Sequence, residues 1–268
     1  VGAVVAIAAK RARVPYNVAL VIVGLLLVVS AVLPHTALDP ELLLVVFLPI
    51  LVFEGSLSAD AESMRQAQRP ILALALPGVF ISLLATALVA KIALGFPFAV
   101  ALLLGALLAV TDTVSVLLAF RSVRVPHRLA AIMEGESLFN DGTALVLVAI
   151  AANAVARGGF DVAETTRSLF VAIVGGLTVG VIVAVLGDRV LRRVPDHLTA
   201  ILTSIVLVFA AALSAERLHA SPVIAVVVVG LVAGRSARAH LPAGSVIALH
   251  SFWEAAGFLL NVVIFLLV

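Results

Sequence analysis

The chain has 268 residues, of which 63% are hydrophobic and 12% charged, and it contains no cysteine. Soluble domains average about 45–50% apolar and about 25% charged residues, so this composition excludes the soluble globular class and indicates an all-helical polytopic membrane protein. The absence of cysteine excludes a disulfide framework and a thiolate metal site. The formal net charge of +2 comes from a small excess of Lys and Arg, which in a membrane protein reports topology and does not indicate a nucleic-acid partner.

Apolar runs separated by charged or Pro/Gly-rich residues predict ten helical segments, the first of them partial. In chain order they cover residues 1–10, 16–33, 40–57, 70–92, 97–119, 127–153, 167–189, 198–216, 221–235 and 248–268. The polar stretch SADAESMRQAQ between the third and fourth segments predicts a short surface helix. The chain starts at Val1 rather than Met and ends inside an apolar run, so we expect an internal piece of a longer membrane protein.

The basic residues give an independent indication of topology. Thirteen of the 17 Lys and Arg residues fall in alternate loops, which is the asymmetry expected when every segment crosses the membrane once. The sequence therefore predicts that the basic loops are cytoplasmic and that Val1 lies toward the outside. These loops are at residues 10–13, 65–69, 121–128, 189–193 and 235–238.

Six carboxylic acids fall inside the predicted segments: Glu54, Asp112, Glu134, Glu136, Asp141 and Glu254. A charge near the bilayer centre costs about 2.5–3.5 kcal/mol on insertion scales, so such residues indicate function. Asp141 is the strongest candidate because it lies about 14 residues, or roughly 21 Å, into the sixth segment. The spacing places Glu134 and Ser137 on the face of Asp141, with Glu136 and Asn140 on an adjoining face.

Polar residues also interrupt the fifth segment near its middle: Thr111, Asp112, Thr113 and Ser115. Thr and Asp compete with the backbone for hydrogen bonds, so the cluster predicts an unwound stretch whose free carbonyl groups can coordinate a cation. A locally capped kink without a ligand is the alternative. Glu54, near the end of the third segment, either extends to the membrane interface or reaches the same site.

A buried carboxylate beside hydroxyl and carbonyl oxygens is a hard-oxygen site. Burial penalises the bare charge, so a proton and a small monovalent cation compete for the carboxylate. Alternating access with either one bound would make that competition an exchange. Neither Cys nor His lies nearby, which argues against a transition metal.

Several stretches of the chain resemble the monovalent cation:proton antiporters of the NhaP/NHE type. They occur in the family's order and cover nearly the whole chain: RARVPYNVALVIVGLLL, ELLLVVFLPILVFEGSL, LLLGALLAVTDTVSV, VPHRLAAIMEGESLFNDGTALVL and FWEAAGFLLNVVIFLLV. The resemblance implies an inverted-repeat fold of thirteen helices with two crossing broken helices, and a homodimer. Residues 1–268 would then hold the first ten helices of the exchanger domain, with the last three missing.

The same resemblance implies roles for individual residues. Asp141 would carry the cation or the proton, with Ser137, Asp112 and the backbone of Thr111 completing a Na⁺ site and Glu54 contributing nearby. Asn140 stands where electrogenic relatives have a second Asp, which implies electroneutral exchange. Two further implications concern the surroundings of the site: Glu136 would pair with an arginine of the eleventh helix, outside this chain, and Thr113 replaces the family's helix-breaking proline.

The resulting hypothesis is a secondary transporter, not an enzyme, that exchanges Na⁺, with K⁺ and Li⁺ as the alternative cations, for H⁺ across the cell membrane without a cofactor. An intramembrane aspartyl protease would need Asp112 and Asp141 to share a proton at about 3 Å, and the expected Gly-x-Gly-Asp signature is missing. A channel or a sodium-coupled organic solute symporter is the other alternative. An organic substrate would call for a more aromatic pocket, and the chain has one Trp and one Tyr.

Overall fold

The computed structural model describes residue 5 and residues 16–29, 39–110, 125–159, 162–194 and 196–267. The regular structure in these ranges is all helical, and we number the helices α1 to α10. Their bounds are Tyr16–Val29, Pro40–Ser58, Ala61–Gln66, Gln68–Leu94, Phe98–Leu108, His127–Arg157, Val162–Leu191, His197–Arg217, Pro222–His240 and Ala243–Leu267. Seven of these helices, α2, α4 and α6 to α10, are long and apolar enough to cross a bilayer. The predicted all-α polytopic class is confirmed, as is the short helix α3 after the third segment.

Local sequence explains several helix ends. The Asp196 carboxylate accepts hydrogen bonds from the backbone N–H groups of Leu198 and Thr199 and so caps α8. Gly158 ends α6 in the left-handed conformation, with φ of 68°, which glycine adopts without steric cost. The predicted 16–33 segment is described only as far as Val29, and the predicted 97–119 segment is described as α5 and residues 109–110.

Two helices begin about five residues before their predicted starts. The sequence predicts starts at 167 and 248, whereas α7 begins at Val162 and α10 at Ala243. The first turns of α7 are polar, and their Glu164 forms an ion pair with Arg157 at the end of α6. Because charged and hydroxyl residues are compatible with a helix that extends beyond the apolar core, hydropathy alone places the start of α7 too late. The early residues of α10 are uncharged, and the helix begins directly after Pro242.

Glycines let three of the long helices pack closely and in the same direction. A Cβ at Gly176 would meet the Ser221 carbonyl oxygen, and one at Gly180 would meet the Ala225 carbonyl oxygen four residues further along α9, both at 2.8 Å. The small residue Gly230 of α9 likewise faces Ser56 of α2. The sequence predicts that the third, seventh and ninth segments cross in the same direction, and the parallel packing of α7 and α9 agrees with it.

The largest buried cluster joins α2 and α7 to α10, and a second one joins α4, α5 and α6. Trp253 of α10 is buried in the first cluster and packs against Phe53 of α2, with the ring centroids 4.6 Å apart and the ring planes tilted by 58°. Its indole Nε1 donates a hydrogen bond of 2.9 Å to the buried Ser204 hydroxyl of α8. This contact fixes α10 against both α2 and α8.

Candidate ion-binding site

Asn140 is the most buried polar residue near the middle of α6. Its side chain is 0% exposed, and its Nδ2 atom lies 3.4 Å from the carbonyl oxygen of Ala109 and 3.3 Å from Glu136 Oε1. Ala109 directly follows α5, two residues before Thr111, where the stretch that the sequence predicts to unwind begins. The amide of Asn140 therefore links α6 to the end of α5 and also provides a hydrogen bond to a buried carboxylate.

The polar residues of α6 divide between two faces, as their spacing predicts. Glu136 and Asn140, one turn apart, are buried toward the protein interior. Ser137 and Asp141 are half-buried on the adjoining face. Asp141 is the fifteenth residue of α6, and sixteen more follow it, the last being Arg157. The structure therefore places Asp141 near the midpoint of a continuous membrane-length helix.

Two small residues hold this part of α6 tightly against its neighbours. A Cβ at Gly142 would lie 2.9 Å from Ile224 Cγ1, so the residue after Asp141 contacts the first turn of α9. A Cβ at Gly135 would lie 2.6 Å from Ile71 Cδ1 of α4. Because the neighbouring side chains fill the space next to both glycines, α6 is held on either side of the Ser137–Asp141 stretch.

Glu54 lies on α2 between α6 and α10. The adjacent Gly55 faces α6, since a Cβ there would lie 3.4 Å from Leu138 Cδ2. The half-buried Glu54 side chain instead faces α10, where it lies next to Gly257 and in the electrostatic field of Glu254. The structure thus packs α2 against Leu138 of α6, next to Ser137, while the Glu54 carboxyl group faces α10.

Part of the predicted site falls outside the described residues, namely Thr111, Asp112, Thr113 and Ser115. The Na⁺ site predicted at Asp141, Ser137 and Thr111 therefore remains a prediction. The ion pair predicted for Glu136 involves an arginine outside the chain and also remains one. Within the described ranges, Glu136 accepts a hydrogen bond from Asn140.

A cavity of about 1190 Å³ lies between the N-terminal half of α2, the C-terminal half of α6, the start of α7 and the α8–α9 junction. Its polar lining includes Asn153, Glu216, His219 and the Arg157–Glu164 ion pair. The residue of α6 that lines it closest to Asp141 along the helix is Leu145. Four residues of helix correspond to about 6 Å, so the lining of the cavity begins about one helical turn after Asp141 along α6.

Charged side chains contact the C-terminal end of α2. Arg238 of α9 donates hydrogen bonds to the carbonyl oxygens of Leu57 and Ala59, at 3.3 and 3.0 Å. Its positive charge stabilises the negative, C-terminal end of the α2 helix dipole. Asp60 follows and caps α3. The Ser63 hydroxyl and backbone N–H donate to its carboxylate and, with Arg238, hold the pKa of Asp60 below its usual value.

Sequence reasoning missed three features of this region: the Ala109 carbonyl group, the Gly257 position beside Glu54, and the cavity. Each depends on helices that are far apart in the chain. The only sequence signal for the cavity is the presence of Glu216 and His219 at a helix end, where an ordinary interfacial position explains them equally well.

A family model described as "Sodium/hydrogen exchanger, transmembrane" matches residues 1–268. The chain belongs to the sodium/hydrogen exchanger family. It is 42% identical over 268 residues to the Na⁺/H⁺ antiporter NhaS2 of Synechocystis, and this match covers all of the chain and 49% of NhaS2. It is 33% identical over 274 residues to the Na⁺/H⁺ antiporter NhaH of Halobacillus aidingensis, covering 97% of the chain and 68% of NhaH. The exchanger-family chain therefore spans about half to two thirds of the length of these relatives.

The fold of this exchanger-family chain also matches a solved structure. The sodium proton antiporter MjNhaP1 from Methanocaldococcus jannaschii superposes with a TM-score of 0.84 at 20% identity, over 99% of the chain and 66% of MjNhaP1. At that identity the likeness establishes the fold. The expected NhaP/NHE-type architecture is therefore confirmed.

Proposed function

We propose that residues 1–268 form the larger part of the transmembrane domain of a secondary transporter that exchanges a monovalent cation for H⁺. The observation that carries this proposal is the position of Asp141, half-buried at the midpoint of α6 beside the buried Asn140 that links α6 to the end of α5. Membership of the sodium/hydrogen exchanger family and the Na⁺/H⁺ antiporter names of its relatives support the same function. Na⁺ is the proposed cation, with K⁺ and Li⁺ as candidates to be compared.

In the proposed mechanism, a proton and Na⁺ compete for the Asp141 carboxylate. The bare carboxylate is costly at this depth, so it stays occupied by one or the other during the conformational change. Ser137 and the Thr111 backbone would provide further oxygen ligands, and Asp112 and Glu54 would contribute negative charge. Hard oxygen ligands of this kind suit small alkali cations and do not favour transition metals.

Asn140 has a different proposed role, because its amide donates hydrogen bonds to Ala109 and Glu136. Asn140 would hold the end of α5 next to Asp141 while remaining neutral throughout the cycle. With a single titrating carboxylate on this turn of α6, one proton is exchanged for one Na⁺. The proposed transport is therefore electroneutral.

The cavity at the C-terminal half of α6 gives the site an access path on one side of the membrane. The basic residues at 65–69 and 189–193, together with Arg235 and Arg238 in the last turns of α9, lie at the opposite helix ends. We assign those basic residues to the cytoplasm by the positive-inside rule. The cavity then opens to the outside of the cell membrane. By resemblance, the whole protein is proposed to be a homodimer.

The proposal is tested with the full-length protein in proteoliposomes that contain a pH-sensitive dye. Adding Na⁺ to the wild type should move protons in the opposite direction, and Asp141→Asn should abolish that flux. The matched control is Asp39→Asn, because Asp39 is an exposed N-cap residue that Asn replaces well. Parallel additions of K⁺ and Li⁺ establish the cation, and an imposed membrane potential should leave the flux unchanged. An Asp141→Asn protein with wild-type flux would contradict the proposal.

A further inference from the structure

Glu54 occupies a space on α10 that exists because residue 257 has no side chain. A Cβ built on Gly257 would lie 3.3 Å from Glu54 Cγ and 3.6 Å from its Cδ and Oε2 atoms. The first distance is tighter than an ordinary van der Waals contact, which begins at about 3.4 Å. The carbon atoms and one carboxylate oxygen of Glu54 therefore lie directly over the Gly257 backbone.

The contacts on either side fix this arrangement. Phe53, one residue before Glu54, packs its ring against that of Trp253. The indole of Trp253 donates a hydrogen bond to Ser204. Both aromatic rings are buried, and close-packed buried rings resist sliding. Gly257 lies four residues after Trp253, one turn further along α10. The α2–α10 contact thus has a defined register, and Gly257 cannot move away from Glu54 without disturbing the buried aromatic pair.

The opposite side of α2 contacts α6 next to the proposed ion site. Gly55 contacts Leu138 of α6, and Leu138 is flanked by Ser137. A Glu54 side chain displaced from its space on α10 would have to change rotamer or shift α2 against α6. Either change alters the position of the carboxylate relative to the ligands that α6 provides.

We propose that Gly257 is a positioning residue for cation binding, because it provides the space that sets the reach of the Glu54 carboxylate. This inference rests on the proposed function, in which Glu54 contributes to the cation site. It assigns a role to α10, whose residues provide none of the proposed ligands.

The test uses the full-length protein with Gly257→Ala and Gly257→Val. Gly244→Ala is the matched control, since Gly244 is in the same helix and a Cβ there meets no atom within 4 Å. Misplacing a binding group by up to 1 Å costs as much as about 100-fold, so we expect Gly257→Ala to raise the apparent KM for Na⁺ about three- to tenfold and Gly257→Val to raise it further. The maximal rate and the thermal stability of Gly257→Ala should stay near those of Gly244→Ala.

A second variant separates positioning from a general packing effect. Gln has the shape of Glu but no carboxylate, so in a Glu54→Gln background a Cβ at residue 257 makes the same contacts and has no carboxylate to displace. Adding Gly257→Ala to Glu54→Gln should then change the KM for Na⁺ by less than twofold. Stabilisation of the purified protein by Na⁺ gives an independent measure of affinity that does not require transport.

The outcomes distinguish this inference from the proposed function. Gly257→Ala and Gly257→Val proteins with the wild-type KM for Na⁺ would overturn the inference, even if Asp141→Asn abolishes flux as proposed. An equal rise in KM in the Glu54 and Glu54→Gln backgrounds would overturn it as well. A wild-type protein without cation-driven proton flux and without stabilisation by Na⁺ would overturn both.

Discussion

Asn140 Nδ2 lies 3.4 Å from the carbonyl oxygen of Ala109, so a side chain at the middle of α6 hydrogen-bonds to the backbone at the end of α5. The same amide lies 3.3 Å from the Glu136 carboxylate. All of Asn140 and nearly all of Glu136 are removed from the surface. These hydrogen bonds join the polar stretch of α6 to the backbone two residues before Thr111, and Asn140 directly precedes Asp141.

The first prediction concerns the donor role of Asn140. Asn140→Asp preserves the side-chain shape but directs acceptor oxygens at the Ala109 carbonyl and the Glu136 carboxylate, so both hydrogen bonds are lost. We expect the free energy of unfolding to fall by about 1–3 kcal/mol, the usual cost of leaving buried polar groups unpaired. Thermal unfolding of the purified full-length protein in detergent measures the change.

Asn153→Asp is the matched control for this prediction. Asn153 is an exposed residue of the same helix that lines the cavity, and the same substitution there should change the unfolding free energy by no more than about 0.5 kcal/mol. Equal Tm values for Asn140→Asp and Asn153→Asp would contradict the structural role given to Asn140.

The second prediction concerns the contact between α10, α8 and α2. Trp253→Phe removes the Nε1 donor and leaves the Ser204 hydroxyl with its bond of 2.7 Å to the Ile201 carbonyl. We expect a loss of about 0.5–1.5 kcal/mol from the hydrogen bond, in addition to the smaller ring. Trp253→Ala should cost about 3–5 kcal/mol because it leaves a cavity. Thermal unfolding in detergent checks this order, and Phe252→Ala, at a partly exposed neighbouring ring, should cost clearly less than Trp253→Ala.

The third prediction concerns the close approach of α7 and α9. Gly180→Ala places a Cβ 2.8 Å from the Ala225 carbonyl oxygen and 3.0 Å from the Ala225 Cα, and backbone atoms cannot turn aside as a side chain can. We expect a destabilisation of about 1–3 kcal/mol, typical of overpacking. Gly159→Ala is the control, since a Cβ there meets nothing within 4 Å. A Gly180→Ala protein as stable as Gly159→Ala would show that the two helices do not pack as described.

The fourth prediction concerns the pH dependence of the α8 cap. The Thr199 hydroxyl and backbone N–H, together with the Leu198 N–H, donate to the Asp196 carboxylate and hold its pKa below the usual value. A lowered pKa in the folded state means that the cap contributes fully above the unfolded pKa of about 3.9. The contribution is lost as the pH falls through the folded-state pKa.

Asp196→Asn isolates this effect, because Asn caps a helix but does not titrate in this range. The difference in Tm between wild type and variant should be constant from pH 7 to about pH 5. Below about pH 4 the Tm of the wild type should fall relative to that of the variant, because only the wild-type cap becomes protonated. Thermal scans across this range make the comparison. A difference that stays constant down to pH 2.5 would show that the Asp196 carboxylate is not stabilised in the folded state.

Helical periodicity and the cost of buried charge predict much of the site on α6. They place Asp141 near the middle of its helix and separate the Ser137–Asp141 face from the Glu136–Asn140 face, and the structure has the same arrangement. The parallel course of α7 and α9 follows from the alternation of basic loops. These features depend on the spacing of residues within one helix or on the way the chain crosses the membrane. Spacing and membrane topology can each be inferred from a single sequence.

The partners of these residues could not be predicted in the same way. The hydrogen bond from Asn140 to Ala109 and the contact of Glu54 with Gly257 join residues 31 and 203 positions apart, and neither leaves a periodic signal. The early start of α7 was missed for another reason, since its polar first turns extend the helix beyond the apolar run that hydropathy detects.

Competition between Na⁺ and a proton at Asp141 is the central claim, and calorimetry of Na⁺ binding to the purified full-length protein tests it most directly. Titrations in buffers of different ionisation enthalpy count the protons released as Na⁺ binds. At a pH where the carboxyl group is protonated, the wild type should release about one proton per Na⁺ bound, and Asp141→Asn should release none. Na⁺ binding without proton release, or the same release from Asp141→Asn, would contradict the claim.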